Sequence, residues 1–249
     1  MMWMSYSRFW MALCLVSLLF EASAVLGATS EPKPLERTDD LQVVSARVDV
    51  IDELDLVVFE QTVVGRAGGT TPVARGSLDG APVLGYVFPT TLGAQDVGFG
   101  KAEGIVALVA TAHPDFDDTP LWDENGNQDF ADDGIVFHTH WVLLVEDERI
   151  GNLAVKETSA DSVLPPTNPG MPIYLDSPGF SVVLRGATLK IVVPLDRLGG
   201  RTDFKFDAVT AYLEVNQSDP NRPTLGVYQV YSVLSGDLSL PYGVQPTIE

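Results

Sequence analysis

The sequence predicts an all-β chain, folded as a single antiparallel β-sandwich with long proline-rich and acidic loops. Three observations predict it. Short runs rich in β-branched and aromatic residues recur, with turn residues (mostly Gly or Pro) between them. No long stretch of the 249 residues carries the 3.6-residue apolar period of a helix. The chain is also long enough to bury one sizeable core, and one all-β domain of this size is common.

The elements follow in order. Residues 1–24 read as a signal peptide: Arg8 gives a positive start, residues 9–20 are mostly apolar, and Ala22-Ser23-Ala24 offer the small residues of a cleavage site, with Ala28 as a second choice. The apolar run is shorter than the ~20 residues a membrane span needs, so it implies export to a periplasmic or extracellular space and no membrane insertion after cleavage. Residues 25–40, polar from Thr29 onward and containing Pro32 and Pro34, read as a flexible leader, and 41–249 as the β-sandwich domain. Val44, Ala46, Val48 and Val50 alternate with mostly polar neighbours, as a half-buried strand does. Further strands are expected at 56–64, 83–88, 104–112, 135–145, 181–184, 189–193, 204–215 and 225–234. Residues 194–198 can make no more than a short helical turn before Gly199-Gly200. Residues 164–178 hold five prolines and read as a long extended loop that could cover one end of the sandwich.

The single cysteine, Cys14, falls within the signal peptide. The exported chain would have no disulfide and no thiolate metal site, which leaves histidine, carboxylate and carbonyl ligands. The formal net charge is −19. Such a chain repels nucleic acid and anionic membrane surfaces and favours cations.

All three histidines lie in one stretch. His113 ends an apolar run, and His138 and His140 form Phe137-His138-Thr139-His140-Trp141. In a strand, residues i and i+2 share a face and sit about 6.6 Å apart, so two imidazoles can converge on one ion. Both faces of this strand are largely apolar, which marks a central strand. Burial disfavours imidazolium, so both rings should be neutral and able to ligate. His113 can join them from a neighbouring strand, with Asp115, Asp117 or Asp118 as substitutes. Imidazole ligands suit zinc or copper(II). Between the histidines, Asp123, Asn125, Asn127 and Asp129 place oxygens at alternate positions around Gly126, a spacing that looks like a short calcium loop. It is not an EF-hand, because Gln128 stands at the sixth position and Gly134 at the twelfth. Hydrogen-bonded core histidines and a solvated Asx-rich turn would account for the same residues without any ion.

Two resemblances bear on fold and site. The segment from Gly186 through the strand ending at Pro194 to Leu198-Gly199, followed by the strand of Phe204, resembles a strand of DOMON-like and family-9 carbohydrate-binding sandwiches. It implies the same β-sandwich fold, in families that bind sugars or haem. Phe137-His138-Thr139-His140-Trp141 resembles the Phe-His-x-His-Trp strand of α-type carbonic anhydrases, in which both histidines bind zinc. That family's third histidine lies downstream, whereas here none follows His140.

The expected function is an exported, non-catalytic protein with a copper or zinc site at His113, His138 and His140 and a calcium loop at Asp123, Asn125, Asn127 and Asp129. One alternative is a zinc-dependent hydrolase or lyase with the same ligands and Asp115 or Asp118 as base. The other is a carbohydrate-binding module in which Trp122, with Trp141, Phe116 and Phe130 nearby, stacks on sugar rings. No nucleophile motif, phosphate loop or basic patch is present.

Overall fold

The computed structural model describes residues 31–72, 78–113 and 136–246. The expected signal peptide lies outside them. The described chain is all-β and antiparallel. Its strands are, in order, β1 (Val43–Ile51), β2 (Leu56–Val63), β3 (Pro82–Pro89), β4 (Ile105–Ala112), β5 (His138–Asp147), β6 (Asn152–Val155) and β7 (Leu175–Asp176). They continue with β8 (Ser181–Arg185), β9 (Thr188–Pro194), β10 (Lys205–Phe206), β11 (Val209–Val215), β12 (Leu225–Val233) and β13 (Tyr242–Gly243). Among the described residues no helix is long and apolar enough to cross a membrane.

Strands β1, β2, β9 and β8 form one four-stranded sheet in that order. In β2 and β9 every second residue is buried, as expected when one face meets a core and the other meets water. The alternation expected for β1 breaks at its start. A bulge between Val43 and Ser45 shifts the register, so Val43 is buried and Val44 is exposed, while Val48 and Val50 keep their inward places.

The other principal sheet closes on itself, so the sandwich expectation gives way to a barrel joined to a sheet. Around the ring, β3 pairs with β4, β4 with β5, β5 with β6, β6 with β12, β12 with β11, and β11 with β3. The closing pair is β4–β5, in register from Ile105↔Leu144 to Thr111↔His138. Closure removes the sheet edges that would otherwise present unpaired backbone groups.

Two cores result. Leu84, Tyr86 and Phe88 of β3, Leu108 of β4 and Trp141 and Leu143 of β5 point outward. There they pack under Val57, Phe59, Leu189 and Ile191 of the four-stranded sheet. Alternate residues, among them Val83, Val109, Val142, Ala211, Leu213 and Val227, line the barrel interior. Strands β3, β4 and β5 are therefore buried on both faces, which is why their sequences read as nearly unbroken apolar runs.

The connections hold smaller surprises. Expected strand 204–215 is divided at Asp207-Ala208 into β10 and β11. The Asp207 carboxylate accepts the Ala208 N–H at 2.8 Å and the Ser235 N–H at 3.2 Å, which fixes the break. Pro194 ends β9, and a 3-10 turn, Leu195–Leu198, follows and closes on Gly199 at φ 60°, where glycine avoids the left-handed penalty. The end of the expected leader is pinned to the barrel. The Tyr231 hydroxyl donates to the Leu35 carbonyl at 3.0 Å, and the Asp40 carboxylate accepts the Arg66 N–H at 2.7 Å and the Thr70 hydroxyl at 2.9 Å. The proline-rich stretch is not wholly irregular. It contributes β7, which pairs Asp176 with Trp141 and Leu175 with Val142, and so lies against the wall that carries the histidines.

Candidate metal centre

The β4–β5 ladder sets the site. It places Thr111 opposite His138 and Val109 opposite His140. His113 follows β4 on the face that Val109 and Thr111 share, so strand pleat alone brings it to the same end of the barrel as the pair. The three ligating nitrogens all lie within 4.8 Å of one another. The ring centroids of His138 and His140 are 4.8 Å apart, those of His113 and His138 4.4 Å, and those of His113 and His140 6.0 Å. His113 and His140 are each 2 % exposed, and His138 is half-buried at the mouth.

Hydrogen bonds fix the roles of the ring nitrogens. His138 Nδ1 lies 2.7 Å from the Val136 carbonyl oxygen. A carbonyl only accepts, so Nδ1 carries the hydrogen, and Nε2 of the neutral ring carries a lone pair. That Nε2 faces His113 Nε2 at 2.6 Å, with Thr111 Oγ1 3.5 Å from it. Two nitrogen lone pairs cannot face each other at this distance without a proton or a cation between them. His140 Nδ1 lies 3.1 Å from Ser177 Oγ, just after β7. A partner on the far ring nitrogen is the usual means of orienting a metal-binding imidazole.

Three imidazoles so placed could hold a metal ion. Bonds of 2.0–2.1 Å at tetrahedral angles put ligand nitrogens about 3.3 Å apart. The His113–His138 pair would open by roughly 0.7 Å to reach that spacing.

Of the expected site residues, the structure thus brings together His113, His138 and His140. The calcium ligands Asp123, Asn125, Asn127 and Asp129 lie outside the described residues, as do Asp115, Asp117, Asp118, Phe116, Trp122 and Phe130. Trp141, expected to flank the sugar-stacking Trp122, is 1 % exposed and packs edge-on against Phe59. Ser177 was not anticipated. A serine in a proline-rich run carries no sequence signal, and only the pairing of β7 with β5 brings it to His140.

Beside the histidine strand, on β7, lies a buried carboxylate. Asp176 is fully buried, and its Oδ1 accepts the Thr167 hydroxyl at 2.5 Å. Among the described residues, its Oδ2 has no hydrogen-bond partner, and neither has Trp141 Nε1 on the paired strand. Burial pushes the Asp176 carboxyl above its ordinary value, opposed by the Thr167 and Ser177 donors and by the charge of Arg197. A raised folded value means that the ionised form is penalised. Stability is then lost as pH rises from the ordinary carboxylate range through the folded value. Asp176→Asn is expected to gain stability relative to the parent across that window and to hold the gain above it. Urea midpoints at pH 4 and pH 8 check this, and a parent–variant difference that does not change with pH contradicts it.

Comparison of the chain with protein-family models, with curated proteins and with solved structures finds no match.

Proposed function

We propose that this is an exported metal-binding protein whose role is to hold one zinc or copper(II) ion on His113, His138 and His140. The observation that carries the reading is the convergence of three imidazole nitrogens within 4.8 Å. The likeness of residues 137–141 to a zinc-binding His-x-His strand adds further support. Imidazole and the absence of thiolate suit zinc and copper(II) equally. Export rests on the signal-like residues 1–24. A calcium ion in the loop from Asp123 to Asp129 remains part of the proposal as a stabilising ion, on the spacing of its oxygens alone.

A second reading, a zinc-dependent hydrolase or lyase, is favoured by one specific observation. His113 and His140 line a cavity, so a fourth position on the ion would face space that a substrate can enter.

One experiment addresses both readings. Protein purified from its native compartment is expected to carry about one equivalent of zinc or copper by elemental analysis, because three imidazoles complete a single site. The His138→Ala/His140→Ala variant is expected to carry almost none. Equal metal in the two proteins refutes the site. Turnover of a simple ester by the loaded parent, abolished by a chelator, would select the enzyme; its absence would leave the holding role.

A further inference from the structure

The barrel interior is not filled. It holds a cavity of about 100 Å³ between β3, β4, β5, β11 and β12. Small side chains leave this room: Ala211 of β11 and valines such as Val109, Val142 and Val227 line it. The space at Gly85 is already tight, since a methyl group there would meet Val109 Cγ1 at 3.0 Å. Gly85 is therefore not part of the lining, whereas its cross-strand partner Ala211 is.

The chemistry of the walls is one-sided. Among the described lining residues only Thr111, His113 and His140 are polar, and all three sit at the end where β4 finishes and β5 begins. A buried water needs two to four polar partners, and the middle of the lumen offers none. Apolar cavities of this kind stay dry, and one of about 150 Å³ binds benzene or xenon. An empty void also costs stability in proportion to its volume, so a molecule that fills it binds with gain.

We infer that the lumen is a binding site for a small apolar molecule, a single ring or short branched chain, carrying one polar group at the end that meets Thr111, His113 and His140. The apolar body replaces missing packing contacts, and the polar group takes a hydrogen bond that would otherwise go to water. The inference goes beyond the metal reading and does not need an ion, because the apolar walls are present without one.

The test is a titration of the full-length protein, stripped with a chelator, with benzene and with phenol, followed by the methyl NMR signals of valine, leucine and alanine. Both probes are expected to shift Val109, Val142 and Ala211 saturably in the millimolar range, with phenol binding more tightly than benzene. Ala211→Val, which adds two methyl groups to the wall, is expected to weaken benzene at least tenfold while leaving the remaining methyl spectrum dispersed. Absence of a saturable shift in the parent, or shifts spread over surface methyls, overturns the inference. Unchanged benzene affinity in a folded Ala211→Val protein does so too. Because the ion has been removed, a negative result leaves the metal reading intact, and a failed metal assay leaves this one intact.

Discussion

Copper or zinc is expected to leave the three-histidine site steeply as pH falls. Each ligand ring must be neutral to bind, so every ring that takes up a proton in the free protein costs a factor of ten in apparent affinity per pH unit. The geometry sets the steepness of the fall. His138 already carries a hydrogen on Nδ1, held by the Val136 carbonyl at 2.7 Å, so it can gain a proton only at Nε2. That atom faces His113 Nε2 at 2.6 Å, and two N–H groups do not fit between them. While the pair shares one proton, affinity should fall about a hundredfold per pH unit, one factor of ten for the pair and one for His140. Once acid drives the rings apart, the slope should approach a thousandfold. Competition against a chelator of known affinity between pH 5 and pH 8 measures this directly. A metal affinity that is flat across this range would mean that imidazoles are not the ligands.

How much of this was legible in the sequence depends on what each element faces. Strands with one wet face, β2 and β9, kept a readable alternation and appeared where expected. The His-x-His spacing could be read in the same way, since strand pleat fixes the side on which His138 and His140 lie. His113 was legible as the last residue of an apolar run, able to pair alongside. Barrel closure was not. In β3, β4 and β5 both faces are apolar, one toward the lumen and one toward the four-stranded sheet, so periodicity cannot distinguish an enclosed interior from a sandwich layer. The closing contact joins β4 to β5 across a long acidic segment, and nothing local shows that this pairing completes a ring. Short strands were lost for a different reason. The pairings of β7 and β13 cover only two residues each, too few to carry a pattern. With β7 went Ser177, whose contact with His140 is a tertiary accident of that pairing.

The same division into two cores predicts the largest effect on stability. Phe59→Ala is expected to cost about 3–5 kcal/mol of unfolding free energy, the range for removing a buried phenylalanine from a packed core. Phe59 is fully buried in β2 and is the hub of the aromatic contacts between sheet and barrel. Its ring lies edge-on to Phe88 at 5.4 Å and to Trp141 at 6.4 Å, and stacks on Phe204 at 5.9 Å. Such pairs add to the value of area burial, and a cavity left among three rigid rings collapses poorly. Phe59→Leu retains most of the volume and should cost less than about 1.5 kcal/mol. The histidine site should respond little, because Trp141 and His140 are neighbours on opposite faces of β5: one belongs to the sheet–barrel core and the other lines the lumen. Urea unfolding of the metal-free variants gives the stability change, and metal titration of the folded Phe59→Ala protein gives the second quantity. A loss below about 1 kcal/mol would mean that the sheet and the barrel do not share a core. A loss of metal affinity as large as that of a histidine deletion would mean that the two faces of β5 are not mechanically separate.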